Sequence, residues 1–231
     1  LKLLPLLFCC LLCGIAPAQQ SPKHTCRILF LDAPDDAPDT LHLFDGVESR
    51  EVDLPRMNLS KIYQLRSGPL KLSLLPAPPA DPAKIPAGAP SVSVAEGITD
   101  FYLLVSSDPA NTVAPVRMQL INAGSERLKP GQMLWFNLTR NRVGGTVGSQ
   151  KLIIEPAARL TLDPPAGGDL EYPVDLSFRI PGDDRPYPLC ETRWRHNPRS
   201  RSLAFIIAGQ GVRTPRVLVF PDYRETPTKT P

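Results

Sequence analysis

At 231 residues and a net charge of only +3, the chain is long enough for one large β domain or two of about 100 residues, and its overall charge selects no partner. Its 15 Gly and 28 Pro make up about a fifth of the residues, below the roughly 25–30 per cent that marks low-complexity disorder. At 42% hydrophobic residues a packed core is expected, and a disordered or collagen-like polymer is excluded.

In chain order, residues 1–18 read as an export signal. Lys2 is a minimal charged start, Leu3 to Ile15 an apolar stretch too short to span a bilayer, and Ala16-Pro17-Ala18 a small-residue cleavage site. No further run of about 18 apolar residues follows, so a transmembrane segment is not expected in a mature chain beginning near Gln19. The expected location is periplasmic, cell-surface or extracellular. Cys9, Cys10 and Cys13 leave with the signal, and Cys26 and Cys190 remain as a disulfide candidate in an oxidising compartment.

Short apolar runs then alternate with turn residues. Arg27–Leu31 and Thr40–Phe44 read as strands separated by Asp32-Ala-Pro-Asp-Asp-Ala-Pro-Asp39, where Pro fixes φ and Asp accepts local backbone hydrogen bonds. Asp45-Gly46 is a hairpin turn into Glu48–Leu54. Ile62–Leu65 and Leu70–Leu74 flank Ser67-Gly68-Pro69. Pro76–Pro90 is Pro/Ala-rich and reads as an extended loop, within a domain or between two. Ser91–Val94, Phe101–Ser106 and Val116–Ile121 follow as strands. From Met133 the chain reads as an apolar strand, a glycine-rich turn within Arg140–Gln150, and a hairpin. Val174–Ile180, Leu189–Arg195, Leu203–Ile207 and Arg216–Phe220 complete the series.

Strands of four to eight residues with turn signals every 8–12 residues, and no sustained 3.6-residue period, predict an all-β fold of antiparallel β-sandwich type. An internal echo predicts two tandem or fused sandwich-like halves. Asn58-Leu59-Ser60, Ile62–Leu65 and Leu70–Leu74 parallel Asn137-Leu138-Thr139, Leu152–Glu155 and Leu160–Leu162, with Arg140–Gln150 as an insertion in the second copy. The division expected is residues 19–98, including the loop 76–90, and residues 99–225, with a disordered tail at 226–231.

The stretch from Asp32 through Asp39, followed by Leu-His-Leu-Phe-Asp-Gly46, resembles secreted bacterial β-sandwich domains of unknown function over residues 27–75. Asn137-Leu-Thr, Gly-Gly-Thr-Val-Gly and Cys190-Glu-Thr-Arg-Trp194 look like uncharacterised exported bacterial proteins. The resemblance implies an envelope or extracellular β-sandwich and supplies no site residue.

The densest chemical signal is basic. Thr192–Pro221 contains Arg193, Arg195, Arg199, Arg201, Arg213 and Arg216 with His196 and no Asp or Glu, and Trp194 lies within it. Strand alternation puts Cys190, Thr192 and Trp194 on one face and Glu191, Arg193 and Arg195 on the other. Arg193, Trp194, Arg195, Arg199 and Arg201 are therefore the candidate ligand-binding set. Guanidinium forks suit the anionic groups of a polysaccharide or envelope polymer, and nucleic acid is not expected after export. The competing expectation is a solvated arginine face paired with the chain's own carboxylates, with Trp194 in the core. Asp32, Asp35, Asp36, Asp39 and Asp45 form a weak calcium candidate, since their spacing departs from the known loop pattern. No other cofactor is expected.

Catalytic constellations are missing from the sequence. His24, His42 and His196 are the only histidines, and there is no G-x-S-x-G, H-E-x-x-H or C-x-x-C. The reading is a secreted protein with a non-catalytic structural or interaction role. A binding module for an anionic polymer is the alternative, and a secreted hydrolase a further one, because the separation of paired carboxylates is set by the fold. Asn58-Leu-Ser and Asn137-Leu-Thr also match glycosylation acceptors.

Overall fold

A computed structural model describes residues 23–209 and 214–224. The expected signal 1–18, Arg213 and the tail 226–231 lie outside the described residues. The first eight strands are β1 (His24–Phe30), β2 (Thr40–Phe44), β3 (Ser49–Asp53), β4 (Tyr63–Leu65), β5 (Leu70–Leu75), β6 (Ser91–Val94), β7 (Asp100–Ser107) and β8 (Val116–Asn122). The next eight are β9 (Met133–Asn137), β10 (Arg142–Val147), β11 (Gln150–Ile154), β12 (Arg159–Leu162), β13 (Glu171–Arg179), β14 (Tyr187–Arg195), β15 (Ser200–Ile207) and β16 (Arg216–Tyr223). The described residues contain no α-helix, and thus none long and apolar enough to cross a membrane.

The strands form four sheets, ordered β4-β1-β7-β8, β3-β2-β5-β6, β12-β9-β15-β16 and β11-β10-β13-β14. Adding eight to each strand number of the first half reproduces the second. The correspondence extends to the two parallel pairs, β1 with β7 and β9 with β15, set in otherwise antiparallel sheets. The fold is therefore an all-β pair of duplicated sandwich halves.

The topology moves the expected boundary. β7 and β8 complete the sheet begun by β1, so a division between residues 98 and 99 cuts through that sheet, whereas the duplication divides between β8 and β9. The echo between Asn58-Leu-Ser and Asn137-Leu-Thr is likewise not one of equivalent places. Asn58 precedes β4, but Asn137 ends β9, the counterpart of β1. The glycine-rich stretch expected as an inserted turn is strand β10, the counterpart of β2, paired on both sides by β11 and β13. The Pro/Ala-rich stretch joins β5 to β6, adjacent strands of one sheet, and is a surface loop inside the first half.

The four sheets stack in layers. The first core lies between β3-β2-β5-β6 and β4-β1-β7-β8 and includes Ile28, Phe30, Leu43, Leu72, Phe101 and Val105. The third lies between the two sheets of the second half, around Trp135, Val143, Leu152, Val174, Leu176 and Ile206. A second core joins the halves, with Leu29, Tyr102 and Leu104 of one meeting Leu134, Leu203, Phe205 and Phe220 of the other. This arrangement explains the sequence pattern. β1, β7 and β15 belong to inner layers covered on both faces, and so contain unbroken apolar runs such as Phe101–Val105 and Leu203–Ile207. β13, in an outer layer, alternates buried and exposed residues along its length.

One end of the interface between the halves is ionic. Arg27 and Arg201 pair with Asp222, Arg201 and Arg224 pair with Asp100, and Arg224 Nε reaches Asp222 at 2.8 Å. Tyr102 donates its phenol hydrogen to Asp222 at 2.6 Å, and the Arg201 guanidinium lies 5.5 Å from the Tyr102 ring centre. Every charge here has an opposite partner, which is the condition for burying it.

The disulfide expectation is not met. Cys26 is a buried free thiol in the first core, and Cys190 is a half-buried free thiol at the third. The pairing failed because the two cysteines belong to different sandwich halves.

Candidate functional site

The second half carries a groove of about 500 Å³ along the seam where edge strands β14 and β16 of facing sheets meet. In the first half the corresponding strands, β6 and β8, close against each other over a longer contact despite being shorter. Side-chain size also differs between the two seams. The β5–β6 ladder ends on the pair Leu70–Val94, with Val94 fully buried. At the corresponding place the β13–β14 ladder carries Tyr172 opposite Trp194. The open seam thus coincides with larger rings at this place.

Trp194 lies parallel to Trp135 with ring centres 5.9 Å apart and planes 12° apart, and meets Tyr172 edge-on at 6.4 Å. Trp135 is fully buried and anchors this stack, while the half-buried Trp194 lines the groove. Val217, Val219, Pro221 and Tyr223, at alternate positions of β16, form the opposite wall, and Tyr223 is 61% exposed. Asn197, Ser200 and Ser202 add an amide and two hydroxyls. The lining thus combines aromatic and aliphatic walls with a few placed polar groups, as ligand grooves do.

His196 closes one end. Its Nδ1 faces the Gly168 carbonyl at 2.7 Å, its Nε2 faces the Gly131 carbonyl at 3.3 Å, and its backbone N–H donates to the Leu170 carbonyl. Gly131, at φ +82, permits this approach, since a Cβ there would lie 3.2 Å from His196 Nε2 and 3.0 Å from Pro164 Cγ. With both ring nitrogens against backbone carbonyls, His196 acts as a brace. Burial pushes the Tyr172 phenol up to about 12, so it stays protonated.

The expected binding set divides. Arg193 Nε pairs with Glu171 at 3.3 Å, and Arg195 grips both oxygens of Asp169 at 2.8 and 3.0 Å. The hydrogen bond from Arg195 holds the Asp169 carboxyl below its ordinary value. Arg201 is buried in the ionic interface between the halves. Arg216 pairs with Asp32 at 2.6 Å, and Arg199 alone of the candidate set is exposed without an ion pair among the described residues. An open arginine face for an anionic polymer is therefore not formed here. Carboxylates distant in sequence neutralise it, and pairing across strands is not visible in a local run of arginines. Trp194 remains in the site, inward-facing as alternation requires.

The calcium expectation is also corrected. Among the described residues no group of three or more His, Cys, Asp or Glu could hold a metal ion. Asp32 and Asp39 pair with Arg216 and Arg56, Asp35 and Asp36 stay in an exposed turn, and the buried Asp45 accepts the backbone N–H groups of Val47 and Glu48. The Asn137 amide is buried and donates to the carbonyls of Asn141, Ile154 and Glu155, so it joins strands and cannot accept a glycan while folded. Cys190 and His196 form no thiol–imidazole pair, and burial raises the Cys190 thiol above its ordinary value.

Sequence reasoning missed Met133, Tyr172, Tyr223 and the β16 wall. Alternation predicts which face each of them occupies. No local signal shows that β14 and β16 face one another across a seam. A scan of protein-family models and a search of curated proteins find no match to the chain.

Proposed function

We propose that the protein is an exported, non-catalytic β-sandwich of the bacterial envelope or extracellular space, and that it binds sugar rings of a glycan in the groove between β14 and β16. The observation that carries this reading is the Trp194–Trp135 stack lining an open groove opposite Tyr223, with amide and hydroxyl groups between them. Aromatic faces cover the apolar faces of a sugar, and the polar groups meet its hydroxyls. The rim arginines are already paired with Glu171 and Asp169, so the ligand expected in the groove is uncharged. The bracing of His196 and the bond from the Ser200 hydroxyl to the Asn197 carbonyl at 3.2 Å support a holding role over acid–base chemistry. A pull-down on insoluble neutral polysaccharides tests the reading. Retention of the wild type that survives raised salt and is lost in Trp194→Ala supports it. Retention by neither protein, or equally by both, argues against it.

A further inference from the structure

We propose a second site, independent of the seam groove: an oxyanion-binding trough on the outer face of β11-β10-β13, which takes the sulfate or phosphate esters of a polysaccharide. A depression of about 360 Å³ there is lined by Arg142, Gly144, Lys151, Ile153, Ser177 and Arg179, with no carboxylate in its lining. The ladder registers place these groups. Gly144 stands opposite Ile153 on one side and Ser177 on the other, Arg142 stands opposite Arg179, and Lys151 stands opposite Thr146. Alternation brings all of them to one face, with Arg142 two residues from Gly144 in one direction and, in the other, Thr146 between Lys151 and Asp175.

Two observations independently point to an anion. The first is electrostatic. Arg142 and Arg179 are directly opposed on neighbouring antiparallel strands, a like-charge pairing that works against folding. Glu155 meets Arg142 at 2.8 Å, but Lys151 and Arg179 have no ion pair among the described residues. The second is the glycine itself. Gly145 is required by the backbone, at φ +150 with a Cβ position 2.0 Å from the Asp175 carbonyl oxygen. Gly144 is not, because its φ is ordinary and a Cβ would touch only the Leu152 oxygen at 3.6 Å. What Gly144 does is leave the middle of the cationic patch bare. The counterpart strand β2, with sequence TLHLF, has no glycine, so this bare position is not repeated in the first half.

Guanidinium, ammonium and hydroxyl donors around one bare strand segment match a tetrahedral oxyanion. A second depression of about 270 Å³ shares Arg142 and Arg179 and adds Arg140, but Glu155, Asp183 and Asp184 line it as well, so the cationic surface is confined to the trough. The carrier taken for that oxyanion is a polysaccharide, the polymer class proposed for the seam groove.

The experiment is calorimetric titration of the chain with dextran sulfate, with uncharged dextran of the same length, and with phosphatidylglycerol vesicles. The expected result is binding to dextran sulfate that weakens with salt, and no binding to dextran. Lys151→Ala/Arg179→Ala should weaken it at least about tenfold with a melting temperature equal to or above that of the wild type, since it removes the like-charge pair. Gly144→Leu, which fills the trough without altering charge, should weaken it comparably. Lys71→Ala, on the counterpart strand β5, should leave it unchanged. Absence of binding to dextran sulfate, stronger binding to the vesicles, or an equal loss in the Lys71 variant would overturn the proposal.

Discussion

Tyr102 on β7 donates a 2.6 Å hydrogen bond to Asp222 on β16, joining the two sandwich halves through a fully buried carboxylate. Burial alone would raise that carboxyl, but the hydrogen bonds from Tyr102, Arg224 and Arg201 outweigh it and hold Asp222 at about 2, below its ordinary 3.8. Asp222→Asn leaves Arg27 and Arg201 short of a counter-charge in the interface. It is expected to destabilise the chain by about 3–5 kcal/mol in urea unfolding.

The same carboxylate sets a pH dependence. A group depressed in the folded state contributes stability that is fully present above its unfolded value near 3.8 and is lost as pH falls through about 2. Wild-type stability should therefore decline between about pH 4 and pH 2 more steeply than that of Asp222→Asn. Parallel declines in the two proteins would assign acid sensitivity to other groups.

Gly145 and Gly144 are neighbours with different physical duties. Gly145→Ala places a Cβ against the Asp175 carbonyl and is expected to cost at least about 2 kcal/mol. Gly144→Ala is expected to lie within about 0.5 kcal/mol of wild type. Thermal melts of the two variants check the contrast, and equal losses would contradict it.

The strand pattern was legible because it depends on local chemistry. Thr40–Phe44 and Ser91–Val94 coincide with β2 and β6, since turn residues bracket each run. Glycine weakens a strand when judged alone, so the sequence of β10 predicts a turn, whereas ladders on both sides make it a strand. The duplication shows in the sequence as an echo, but the echoing tripeptides do not stand at equivalent places. Similar tripeptides mark Asn58 and Asn137, while true equivalence resides in sheet order, which joins strands as distant as β1 and β7. Trp194 could be named from the sequence. The pairing of Arg193 with Glu171 and Arg195 with Asp169 could not, because those acids lie across the β13–β14 hairpin.

Cysteine chemistry separates the halves in solution. In a chain beginning at Gln19, Cys26 is expected to react with a thiol reagent only on unfolding, and Cys190 slowly in the native state. Burial keeps both protonated. Peptide mapping without reductant is expected to find no Cys26–Cys190 peptide. Finding one would contradict the placement of these residues in separate cores.

The seam groove is tested most directly by intrinsic fluorescence, because Trp135 and Trp194 are the chain's two tryptophans and both belong to the stack beside it. Titration with neutral gluco-, manno-, galacto- and chito-oligosaccharides is expected to give a saturable change in emission with at least one of them. In Trp194→Ala, which still reports through Trp135, that change should disappear while the fold is retained. No saturable change with any of these sugars, or a change of the same size and affinity in Trp194→Ala, would contradict the groove as the ligand site.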